Sequence, residues 1–147
     1  MKFSNFCTNE KNQDFINLSK ELWEEYYENA GCNVDKYQKV NNLEGEHFVV
    51  LIFDEDDDCN TPIACGSFKE LSNDTVEIKR VFVKKIYRNN GLATFIMNKL
   101  EKEAKKQNHD FAVLVTGVSV FFITFRKNTN RNMLSHTNKF YFFGKKN

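Results

Sequence analysis

The stretch Val76–Gln107, VEIKRVFVKKIYRNNGLATFIMNKLEKEAKKQ, decides the fold. Val76, Ile78, Val81, Phe82 and Val83 are β-branched or aromatic, as a buried strand requires. Arg88-Asn89-Asn90-Gly91 breaks that pattern, and from Leu92 the period becomes helical. Leu92, Ala93, Ile96, Leu100 and Ala104 fall on one face, with Phe95 and Met97 at its margins. Asn98, Lys99, Glu101, Lys102 and Lys105 fall on the other, with Glu101 and Lys105 at the favourable i,i+4 spacing. The spacing predicts a strand, a tight polar turn and an amphipathic helix.

Such a turn has a physical use. The first N–H groups of a helix lack intrahelical partners and point outward together, where the helix dipole adds partial positive charge. A phosphate or pyrophosphate fits there. Gly91 would let the backbone approach the ligand without a side chain in the way, and Lys84, Lys85 and Arg88 add charge nearby. On spacing alone, an ordinary strand-to-helix turn accounts for these residues equally well.

Arg88-Asn89-Asn90-Gly91-Leu92-Ala93 matches the R/Q-x-x-G-x-G/A signature of the GNAT superfamily of acyl-CoA-dependent N-acetyltransferases. Glu77–Val83 resembles the family's fourth strand at the proper distance, and the helix that follows resembles its third helix. The resemblance runs from about Phe3 to Ser119. It implies an α/β fold with a mixed sheet: mostly antiparallel N-terminal strands followed by a βαβ unit that binds CoA. It also implies acetyl-CoA as co-substrate, without a metal. The pantetheine would bond to the strand backbone at Phe82 and Val83, between two strands that splay apart. The pyrophosphate would lie on the amides of Arg88, Asn89, Asn90, Gly91, Leu92 and Ala93.

The reaction implied is acetyl transfer to a primary amine of a small molecule or of a protein. A lysine-like amine has a pKa near 10.4, so holding it neutral at pH 7 costs roughly 4–5 kcal/mol. A positioned base removes the proton, and by the resemblance Glu77 is that base. An ordinary strand glutamate paired with Lys79 or Arg80 is the alternative. The backbone N–H of Val83, or of a neighbour, would polarise the thioester carbonyl.

Outside this stretch the chain reads as one soluble domain. At 147 residues it can bury about 68–70% of its unfolded surface. A formal charge of +1 gives no global case for nucleic acid or a membrane surface, and no apolar run approaches 18 residues. Cys7, Cys32, Cys59 and Cys65 form no CxxC pair, and Met1–Glu10 does not read as a signal peptide. Reduced thiols in a cytoplasm follow. His47, His109 and His136 lack ligand spacing, so no metal site is expected. A monomer and a homodimer both stay open.

A weak first strand is predicted over Lys2–Cys7 and a helix over Asn12–Ala30, with Phe15, Leu18, Leu22 and Tyr26 as its core stripe and Trp23 widening it. Glu21, Glu24, Glu25 and Glu28 form its wet face, either merely solvated or attracting a cationic amine. Cys32–Glu46 is expected to hold a short helix or loop. Strands follow at His47–Phe53, Ile63–Leu71 and Phe111–Val115, and Asp54–Asp58 is expected as a solvated hairpin loop because it lacks calcium-loop spacing.

The chain divides at residue 119. Residues 1–118 balance 15 Lys and Arg against all 20 acids, net −5, whereas residues 119–147 carry six Lys and Arg and no acid, net +6. The tail at 120–147 departs from the family pattern. It lacks the N-x-x-A-x-x-L-Y-x-K-x-G-F landmarks whose tyrosine protonates the leaving thiolate, and Tyr141 does not stand in the matching place. Either the tail is replaced or frame-altered and poorly ordered, or it is a diverged closing hairpin with Lys139–Phe143 as a strand. Three functions stand beside one another: an N-acetyltransferase, an inactive acyl-CoA-binding domain of the same fold, and an unrelated phosphate-binding α/β domain. The P-loop, Rossmann and serine-hydrolase signatures are absent.

Overall fold

The computed structural model describes residues 2–30, 44–115, 119–124 and 140–145. Its strands are β1 (Phe3–Asn9), β2 (His47–Asp54), β3 (Pro62–Ser72), β4 (Thr75–Val83), β5 (Phe111–Val115), β6 (Ser119–Thr124) and β7 (Phe140–Lys145). Its helices are α1 (Gln13–Ala30) and α2 (Leu92–Lys106), with a short 3-10 turn at Lys85–Tyr87. The strands form one sheet in sequence order, antiparallel throughout except for the parallel pair β4–β5. This is the mixed α/β sheet expected. Most of Cys32–Glu46 lies outside the described residues.

The sheet is sandwiched because its strands alternate. Val50, Ile52, Ala64, Phe68, Val76 and Ile78 pack on α2 through Leu92, Ile96, Leu100 and Ala104. Val49, Leu51, Cys65 and Phe82 pack on α1 through Phe15 and Leu18. Each large buried side chain contributes about 1.5–3 kcal/mol. Asn12 caps α1, its side-chain oxygen accepting from Phe15 N–H at 3.1 Å. Glu101 and Lys105 form the expected pair on α2 at 2.9 Å.

The approach of α2 is close. A Cβ placed on Gly66 of β3 would stand 2.3 Å from Ile96 Cγ2 and 3.3 Å from Leu100 Cδ1, so only glycine fits beneath the helix. Opposite Gly66, β4 carries a bulge. Cys65 pairs with Phe82 and Ser67 with Lys79, so β4 supplies one residue more than β3 across that step. Arg80 takes a φ of +57° there, and its carbonyl accepts from Cys65 Sγ at 3.3 Å. The bulge resets the alternation, so that Phe82 faces α1 while Val81 and Val83 join the α2 side.

Three expectations are corrected. Tyr26 is 46% exposed instead of buried, because α1 runs past the last core residue at that end. Ala93 is exposed at the start of α2, outside the buried stripe of Leu92, Ile96, Leu100 and Ala104. Asp54 is the buried last residue of β2, not part of a solvated loop, and it accepts from the Tyr87 hydroxyl at 3.0 Å. In the tail, β6 pairs with β5 and with β7.

Candidate active site

Among the described residues, β4 and β5 pair from Thr75 with Phe111 to Ile78 with Leu114. Beyond Ile78, among the described residues, β4 is paired on its β3 side alone, as far as Val83 with Ala64. Lys84 N–H donates to Ile63 of β3 at 2.9 Å. Successive N–H groups along a strand point to opposite sides, so the Val83 N–H points away from β3, to the side where no described residue pairs with it.

A cleft of about 520 Å³ opens beside this end of β4. Leu22, Glu25 and Tyr26 of α1 form one wall, and Val81, Phe82 and Val83 another. The third wall runs from Tyr87 through Asn89 and Gly91 to Thr94. The turn is built by left-handed backbone: Asn89 has a φ of +65° and Gly91 a φ of +76°. Asparagine tolerates that region and glycine enters it without a Cβ penalty. Asn90 bridges the two, its side-chain nitrogen donating to the carbonyls of Tyr87 at 3.0 Å and Arg88 at 3.3 Å. Gly91 is the N-cap of α2 and no side chain caps the helix, so its first-turn N–H groups face the cleft. Among the described residues, a Cβ on Gly91 would meet nothing within 4 Å.

Of the residues singled out from sequence, Phe82, Val83, Arg88, Asn89, Gly91, Leu92 and Ala93 all line the cleft. Asn90 and Glu77 do not. Asn90 is turned onto its own loop. Glu77 lies five residues upstream on β4, on the α1 face of the sheet, because Val76 and Ile78 point into the α2 core. Its Oε1 is 3.6 Å from Lys79 Nζ. Lys79 is buried, and burial lowers its pKa. Lys69 stands opposite Glu77 on β3. The base candidate therefore sits among charged neighbours, outside the lining of the cleft.

The sequence offered Glu25 as a solvated acid or an attractor of a cationic amine, and did not foresee its pairing with Arg88 in the cleft. An Arg88 guanidinium nitrogen stands 2.6 Å from Glu25 Oε2, and Arg88 Nε donates to the Val83 carbonyl at 2.9 Å. That hydrogen bond holds the Glu25 carboxyl below the usual carboxylate range. Glu21 pairs with Lys84 at 3.5 Å. Two of the four glutamates on the wet face of α1 are thus engaged by the cations beside the turn. The signal was the matching i,i+4 spacing of Glu21 with Glu25 and of Lys84 with Arg88, which becomes readable only once α1 is known to lie beside β4.

A mixed sheet with a parallel β4–β5 pair, a bulged β4 and an uncapped helix opening on a glycine turn define an acyltransferase class of fold. The sequence model of the acetyltransferase (GNAT) family matches residues 12–120, and the chain belongs to that family. No curated protein matches it. Solved structures share its fold at low identity. A GNAT family acetyltransferase from Staphylococcus aureus superposes with a TM-score of 0.58 at 18% identity, covering 78% of this chain and 73% of its own. A GCN5-related N-acetyltransferase from Ralstonia eutropha gives 0.54 at 19% identity, covering 77% and 84%. A GNAT family acetyltransferase from Elizabethkingia anophelis, solved with acetyl-CoA bound, gives 0.52 at 17% identity, covering 78% and 65%. Among the described residues, no helix is long and apolar enough to cross a membrane.

Proposed function

We propose that this chain transfers an acetyl group from acetyl-CoA to a primary amine of a small molecule or of a protein. One observation carries the reading: the uncapped start of α2 opens, through left-handed Asn89 and Gly91, into a cleft that continues along Val81, Phe82 and Val83 of β4. The acetyl-CoA of the Elizabethkingia neighbour supports the same ligand here. The residues suit it. The amides of Arg88–Ala93 are an anion cradle, and the strand at Phe82 and Val83 offers backbone partners to an amide-bearing arm. The Val83 N–H, facing away from β3, is the donor for the thioester carbonyl oxygen, where negative charge grows during transfer. Glu77, on the acceptor side of β4, takes the proton from the attacking amine. When bound, acetyl-CoA supplies the activated acyl group.

Binding tests the ligand directly. CoA at about 100 times its Kd should add about 2.7 kcal/mol of stability. That is about 5–10 °C in Tm for a domain of this size. An unchanged Tm at millimolar CoA would remove CoA from the account.

A further inference from the structure

α1 presents Glu21 and Glu25 one turn apart, and the segment after β4 presents Lys84 and Arg88 at the same spacing. The rows meet as two ion pairs, but only Glu25 and Arg88 line the cleft. Arg88 is fixed on three sides. Its Nε donates to the Val83 carbonyl, its guanidinium lies 5.9 Å from the centroid of the Phe82 ring, and a terminal nitrogen meets Glu25 at 2.6 Å. The guanidinium therefore sits beside the anion cradle already holding an anion. A carboxylate and a phosphate accept the same hydrogen bonds from the guanidinium fork and repel one another.

We propose that Glu25 is a built-in competitor of the CoA pyrophosphate for Arg88, a positioning residue that sets how tightly the cofactor is held. This inference rests on the acetyl-CoA reading of the cleft. Glu25 keeps Arg88 folded against Phe82 and Val83 before the cofactor enters, and recaptures it as the cofactor leaves. Spent CoA must depart after each transfer, and product release limits many enzymes of this kind of cycle. A competitor at the phosphate end speeds departure without touching the reacting thioester.

Calorimetric titration of the full chain with CoA, and separately with pantetheine, which lacks the pyrophosphate, tests this. Glu25→Gln keeps the side chain's size and an acceptor for Arg88 but removes the charge. It should tighten CoA about threefold to fivefold, the scale of one partly exposed ion pair, and leave pantetheine affinity unchanged. Glu21→Gln, whose pair with Lys84 lies outside the cleft, should change neither. Unchanged or weaker CoA binding in Glu25→Gln, or an equal gain for pantetheine, overturns the role of Glu25 while leaving the CoA reading intact. Failure of the parent chain to bind CoA saturably overturns both.

Discussion

Replacing Glu77 by glutamine should lower kcat by about 10²–10⁴-fold, the usual contribution of a positioned base, and leave CoA affinity unchanged. The change is nearly isosteric. The Lys79 contact at 3.6 Å loses its charge partner, but the β4 ladder with β3 and β5 does not depend on it. Glu77 also stands clear of the cleft walls, so binding and chemistry separate in this variant. Steady-state rates over a range of amine concentrations, with CoA titrations alongside, check it. Equal kcat in variant and parent would leave Glu77 as an ordinary strand residue paired with Lys79.

The second large effect falls on the turn. Gly91→Val should abolish the CoA-dependent rise in Tm. The protein has room for a side chain here, since a Cβ meets no described atom within 4 Å. The obstruction would be to the ligand, because that open space borders the first amides of α2. Valine also strains a φ of +76°, at a cost of order 1–3 kcal/mol. Gly91→Asn separates the two effects, since asparagine tolerates left-handed backbone. It should keep Tm near that of the parent without CoA and still lose most of the CoA-dependent shift. A full shift in both variants would place the pyrophosphate elsewhere.

The central unit was legible because its signals were local. Strand, turn and helix between Val76 and Gln107 follow from β-branched residues, a polar break and a 3.6-residue period, and the structure places them as read. The buried face of α1 was legible as far as Leu18 and Leu22 for the same reason. What the sequence hid was long-range. The bulge at Arg80 shows no glycine or proline to mark it, since its geometry is held by Cys65 and the β3 ladder. Gly66 reads as an unremarked strand glycine until α2 lies across it. Glu25 read as a solvated acid or an attractor of a cationic amine, because nothing nearby in sequence reveals Arg88, 63 residues away. Tyr26 follows the helical stripe but lines the open cleft beside β4, and periodicity carries no information on where packing gives way to a cleft.

Release of free thiol from acetyl-CoA, followed in the presence of a panel of small amines, amino acids and lysine-bearing peptides, tests the account at its centre. The account predicts amine-dependent thiol release matched mole for mole by acetylated product for at least one class of primary amine, and its loss in Glu77→Gln. Saturable CoA binding with no thiol released above the protein-free rate for any amine would contradict it, and would make the chain an acyl-CoA-binding domain that performs no transfer.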